Sequence, residues 1–116
     1  MTMTNNSVGI LGIGSSLPNK VISNFDLEKM VDTSDEWIVK RTGISERRVL
    51  EKDEPAFKLG ADAALKAIKD ANLTPSDIDL IIVATETPDY LTPSTSANIQ
   101  REIGAENAAV FDLNAA

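Results

Sequence analysis

The sequence contains neither cysteine nor histidine. Without cysteine there is no disulfide framework, no thiolate metal site and no thiol nucleophile among these residues. Without histidine the commonest general base at neutral pH is missing too. Positive charge is scarce: 11 Lys and Arg stand against 18 Asp and Glu, giving a net charge of −7. A nucleic-acid partner, which requires a basic face, is therefore not expected. No apolar run approaches the roughly 18 residues needed to cross a membrane. The opening Met1-Thr2-Met3-Thr4-Asn5-Asn6 has neither the basic region nor the apolar run of a signal peptide, so a cytoplasmic location is the default.

What remains is a chain of 116 residues with apolar and charged fractions ordinary for a globular protein, enough for one domain at most. Val8 to Ile13 reads as a first strand. Its Gly12 and Gly14 invite a dinucleotide-binding reading, which fails because Leu17 and Pro18 follow where a third glycine and a helix should stand. Asn24 reads as a helix cap, with Leu27, Met30 and Val31 as that helix's apolar side. Ile44 to Leu50 reads as extended. Pro55 opens a longer helix to about Asn72, with Phe57, Ala61, Ala64, Leu65 and Ile68 as its core stripe. Lys58, Asp62, Lys66 and Asp70 occupy the opposite side. Thr74-Pro75-Ser76-Asp77 is a cap-and-turn signal, and Leu80 to Val83 suits a strand covered on both faces. A helix between that strand and the first predicts a parallel crossover. Glu86 to Pro93 is then a loop at a carboxyl strand edge, Ser94 to Ile103 a helix stopped by Gly104, and Ala108 to Leu113 the last strand. Asp112, inside that strand, needs partners and reads as structural rather than catalytic.

The densest chemical signal is Asp32 to Arg48, DTSDEWIVKRTGISERR. Thr33 and Glu36 have capping-box spacing and Gly43 supplies a stop, so a short helix is predicted over Ser34–Thr42. Trp37 and Arg41, four apart, share one of its faces. A planar apolar surface beside a planar cation can hold a heteroaromatic ring and a phosphate together. From spacing alone, Trp37 as core and Arg41 as a solvated charge is the favoured reading. Lys40, Arg41, Arg47 and Arg48 form the only dense basic group, able to meet an anion or simply to be solvated.

Asp32 to Gly43, followed by Ile44, Glu46 and Arg47, resembles the signature of the β-ketoacyl-acyl carrier protein synthase III family. So do Leu11-Gly12-Ile13-Gly14-Ser15-Ser16-Leu17-Pro18, then Asn24 with Asp26-Leu27-Glu28, and finally Phe111-Asp112-Leu113-Asn114-Ala115-Ala116. The resemblance implies an α/β chain forming the first part of a thiolase-like fold, a mixed sheet with parallel core strands covered by helices. Residues 1–116 would be the N-terminal portion of the first thiolase-like half, ending just before the nucleophilic cysteine. The family's catalytic histidine and asparagine lie further on, so no catalytic residue is expected in this segment. By resemblance Thr33, Trp37 and Arg41 line the coenzyme A entrance. Thr92 stands where well-studied members insert a phenylalanine into the partner subunit's acyl pocket, which implies a roomier pocket and a primer choice other or broader than acetyl. The implied reaction is a decarboxylating Claisen condensation of an acyl-CoA primer with malonyl-acyl carrier protein by a homodimer, with acyl-CoA as substrate and neither metal nor redox cofactor. Two rivals stay open: a related thiolase-fold enzyme acting on other acyl thioesters, and a non-catalytic α/β interaction module or accessory subunit.

Overall fold

Short hydroxyl side chains and glycines fix the helix ends. The computed structural model describes residues 8–115 and runs β1 (Lys20–Ser23), α1 (Asn24–Glu28), α2 (Asp35–Thr42), β2 (Glu46–Val49), α3 (Ala56–Asp70), a 3-10 turn (Pro75–Asp77), β3 (Leu80–Ala84), α4 (Thr95–Ile103) and β4 (Ala109–Leu113). Ser23 and Asp26 form a reciprocal capping box at α1, and Thr74 and Asp77 another at the 3-10 turn. The hydroxyl of Ser34 accepts from the Trp37 N–H at 3.2 Å and caps α2. Two caps therefore differ from the sequence reading. Asn24 is the first residue inside α1, and Thr33 lies one residue before the cap of α2. Of two adjacent hydroxyls, the one at the extended residue nearest the helix reaches the third N–H, and that residue is Ser34 (φ −142°, ψ 154°). Gly43 and Gly104, at φ 70° and 74°, end α2 and α4 in the left-handed conformation as read.

The elements form two packed groups. In the first, β1 and β2 pair antiparallel from Lys20↔Val49 to Ser23↔Glu46, with α1 and α2 in the connection between them. In the second, β3 and β4 pair parallel from Leu80↔Ala109 to Ala84↔Leu113, joined through α4. Helices α3 and α4 cover one face of this pair. The core there is Phe57, Ala61, Ile68, Ile99, Ile103, Ala105 and Ala108, with Ile81 and Val83 packed against it. A radius of gyration of 18.5 Å exceeds the roughly 13 Å of a compact chain of this length, so the molecule is elongated.

Three expectations are corrected by packing. Val8–Ile13 has no strand pairing. The end of this run and the residues after it lie along α3, where the Ile13 N–H donates to Asp70 Oδ2 at 3.0 Å and Lys66 Nζ donates to the Ser15 carbonyl at 3.1 Å. A Cβ on Gly12 would overlap the backbone at Ala67 and Ala71, and one on Gly14 that at Ala63 and Ala67. The two glycines serve close approach to a helix, whose backbone groups are already bonded to each other and offer no ladder. The same contact means that the charged side of α3 is partly occupied. The parallel crossover exists, but between β3 and β4. Met30 and Val31 fall beyond the end of α1 and stand exposed.

Candidate functional site

Helix α2 places Trp37 and Arg41 on one face, as their spacing predicted. One helical turn brings the Arg41 guanidinium carbon 4.6 Å from the centroid of the Trp37 ring, a cation–π stack worth about 0.5–1 kcal/mol at an exposed site. Trp37 is 53 % exposed, while Ile38 is the residue that α2 buries. Within this chain the reading of Trp37 as core therefore fails. Asp32, Thr33, Ser34 and Trp37 line an open hollow of about 450 Å³ beside the helix. Trp37 thus joins a flat apolar ring stacked by the Arg41 cation to a hollow that Thr33 also lines.

The basic group does not survive as one cluster. Arg47 turns inward, donating to the Ile22 carbonyl at 3.1 Å and to Asn24 Oδ1 at 2.6 Å. Arg48 reaches the carbonyls of Pro18 and Asn19. Lys40 and Arg41 remain on α2, in its last turn. Behind α2 lies a group that spacing did not single out. Asn24 is fully buried, and its Nδ2 donates to Asp35 Oδ1 and to the Ile44 carbonyl, each at 2.8 Å. Its main-chain N–H donates to the Ser45 carbonyl at 3.0 Å.

In the second group, the carboxyl edges of β3 and β4 lie side by side. A hollow of about 240 Å³ there is lined by Ala84, Thr85, Glu86, Leu113 and Ala115. Asp112 accepts from the main-chain N–H groups of Thr95 and Ser96, both at 2.8 Å, and so caps α4. Burial works to raise its carboxyl, and the hydrogen bonds from Ser96 and Thr95 outweigh it, leaving Asp112 below the ordinary aspartate range. Asp89, in the loop after β3, does the same for α3 through the N–H groups of Ala56 and Phe57, both at 2.8 Å. Both helix N-termini at this edge are occupied by carboxylates, which argues against a phosphate cradle there. Leu91 and Thr92 stand exposed at the tip of that loop. Among the described residues no group of three or more His, Cys, Asp or Glu could hold a metal ion. No helix there is long and apolar enough to cross a membrane.

Solved structures with a similar fold include two at a TM-score of 0.86. The 3-oxoacyl-[acyl-carrier-protein] synthase III of Aquifex aeolicus VF5 matches with a TM-score of 0.86 at 48 % identity, over 91 % of this chain and 34 % of that one. The priming β-ketosynthase of the R1128 polyketide biosynthetic pathway also matches with a TM-score of 0.86, at 42 % identity, over 91 % of this chain and 32 % of that one. The fold is therefore, in part, a thiolase-like α/β fold. Sequence narrows it: the beta-ketoacyl-[acyl-carrier-protein] synthase III of Clostridium acetobutylicum is 59 % identical over 111 residues, which are 96 % of this chain and 34 % of that protein. Over the part that it spans, the chain is similar to proteins named beta-ketoacyl-[acyl-carrier-protein] synthase III. It spans about a third of the length of the curated relatives it matches. No family model matches the chain.

Proposed function

We propose that these residues form the coenzyme A-receiving part of a cytoplasmic, homodimeric condensing enzyme that starts fatty-acid synthesis. The observation that carries this reading is the exposed Trp37–Arg41 stack with Thr33 at its rim, in a chain so similar to enzymes named for that reaction. The free face of the indole takes the adenine ring of coenzyme A, and the guanidinium and Lys40 meet its phosphates. The acyl group passes from coenzyme A to a cysteine that these residues do not contain. Malonyl-acyl carrier protein then loses carbon dioxide, and the resulting carbanion attacks the acyl-enzyme and expels the cysteine thiolate. Decarboxylation supplies the electron pair and the thioester supplies the leaving group, so the scheme calls for no metal or redox cofactor. The N-terminal portion therefore binds and positions, while the residues that break bonds lie in the remainder of such an enzyme. The small Thr92 favours a primer other or broader than acetyl.

Trp37 is the only tryptophan, so its emission reports directly on the proposed site. Titration of the protein with coenzyme A should quench that emission saturably and raise the melting temperature, as a ligand of the folded state does. Arg41→Ala should weaken binding by about ten-fold, the equivalent of one charged hydrogen bond. Neither quenching nor a melting shift at millimolar coenzyme A would overturn the proposal.

A further inference from the structure

Helix α2 has eight residues, Asp35–Thr42, fewer than the roughly 12–15 at which an isolated helix becomes even marginal in water. Its cap and its glycine stop satisfy local groups but do not fix its place. It buries Ile38 alone, so apolar packing holds it weakly. What spans both of its ends is Asn24. One Nδ2 proton is donated to Asp35 Oδ1 in the first residue of α2. The other goes to the carbonyl of Ile44, one residue past the Gly43 stop. The amide oxygen receives Arg47 Nη2, and Arg47 Nη1 is anchored on the Ile22 carbonyl of β1. The amide orientation follows from these neighbours, because two acceptors must face Nδ2 and a guanidinium must face Oδ1. At zero exposure such a side chain is costly to lose, since its partners keep their desolvation without their bonds.

We propose that Asn24 is the positioning residue of the coenzyme A site, locking both ends of α2 so that Trp37 and Arg41 are presented as a preformed pair. Arg47, which the sequence grouped with Lys40, Arg41 and Arg48 as able to meet an anion or simply to be solvated, serves this lock instead. The inference rests on the function proposed above, and it makes the affinity of the site depend on a buried amide that does not touch the ligand. Preorganisation of this kind appears in binding rather than in chemistry.

Two readouts separate this inference from the function on which it rests. In the ligand-free protein, Asn24→Ala should alter Trp37 emission and its accessibility to iodide in the manner of Arg41→Ala, because a frayed α2 loses its one-turn stack. In the intact protein the same change should raise the dissociation constant of coenzyme A and the KM for acyl-CoA about ten-fold, with the KM for malonyl-acyl carrier protein and kcat within two-fold. Asp35→Asn keeps the acceptor for Nδ2 and should behave as wild type. Asp35→Ala removes that acceptor and should reproduce much of the Asn24→Ala effect, which decides the matter even if Asn24→Ala does not fold. Wild-type Trp37 emission and quenching in Asn24→Ala and Asp35→Ala would overturn the positioning role, whatever coenzyme A does. A wild-type protein that ignores coenzyme A, with altered Trp37 signals in these variants, would sink the function and leave the lock standing.

Discussion

At the scale of single residues, carboxylates do most of the fastening. Asp26 is held down to about 2 from the ordinary 3.8, first by the Ser23 hydroxyl, then by the Ser23 main-chain N–H and Lys29. Asp77 is lowered by the Thr74 hydroxyl and then the Thr74 N–H. Asp112 is lowered against its burial by Ser96 and Thr95. A carboxyl whose folded value lies below its unfolded one stabilises the fold at every pH above the unfolded value. That contribution is lost as pH falls through the folded value. Thermal melts should therefore show no contribution from these groups to any change between neutral pH and about 5, then a progressive loss from 3.8 towards 2. Asp112→Ala should remove part of this acid step and lower stability at neutral pH by about 1–2 kcal/mol, the cost of losing a helix cap. Asp112 was legible from sequence because a lone carboxylate in an apolar strand demands donors. Asn24 was not, because Asp35, Ile44 and Arg47 lie 11, 20 and 23 positions away and only the fold brings them together.

At the scale of elements, the loop after β3 is governed from its own middle. Asp89 grips the N-terminus of α3 through two main-chain bonds, leaving Tyr90, Leu91 and Thr92 to project from that anchor. If Thr92 floors an acyl pocket, its size sets the primer and Asp89 sets where that floor lies. Thr92→Phe should shift the ratio of kcat/KM values towards acetyl over longer acyl-CoA primers by about ten-fold, within the 1–3 kcal/mol that pocket volume commands. Asp89→Ala should blur chain-length preference while leaving coenzyme A binding at Trp37 unchanged. Acylation rates across a series of acyl-CoA lengths test both. The regular elements were readable wherever a helical stripe or an apolar run was long enough, as in α3, α4, β3 and β4. Strand β1, only Lys20–Ser23, carries no such pattern, and the Val8–Ile13 run carries one without a neighbour to pair with. Periodicity records which residues are apolar, whereas a ladder depends on what lies alongside.

At the scale of the molecule, the β3–β4 pair has two unlike faces. Ile81 and Val83 point into the core with α3 and α4. Leu80, Ile82, Phe111 and Leu113 point the other way and remain 45–51 % exposed. The register sets Ile82 beside Phe111, so these side chains form one apolar surface on a parallel pair, a kind of sheet usually covered on both faces. Each of the four is already about half covered, so completing its cover would contribute about half of the roughly 1.5–3 kcal/mol of full burial, which in sum approaches the lower end of the net stability of a small domain. The sequence reading of β3 as a two-sided strand is thus half met by α3 and α4, and the proposed longer enzyme supplies the other half. Ile82→Lys distinguishes the two situations. In the 116-residue chain it should leave helical circular dichroism unchanged and reduce binding of a hydrophobic dye, since the residue already faces water. In an enzyme of the relatives' length it should abolish soluble expression, because an unpaired ammonium would be driven into a closed interface. A lysine tolerated there in full-length, active protein would mean that this face stays open, and the proposed two-sided burial of the sheet would have to be abandoned.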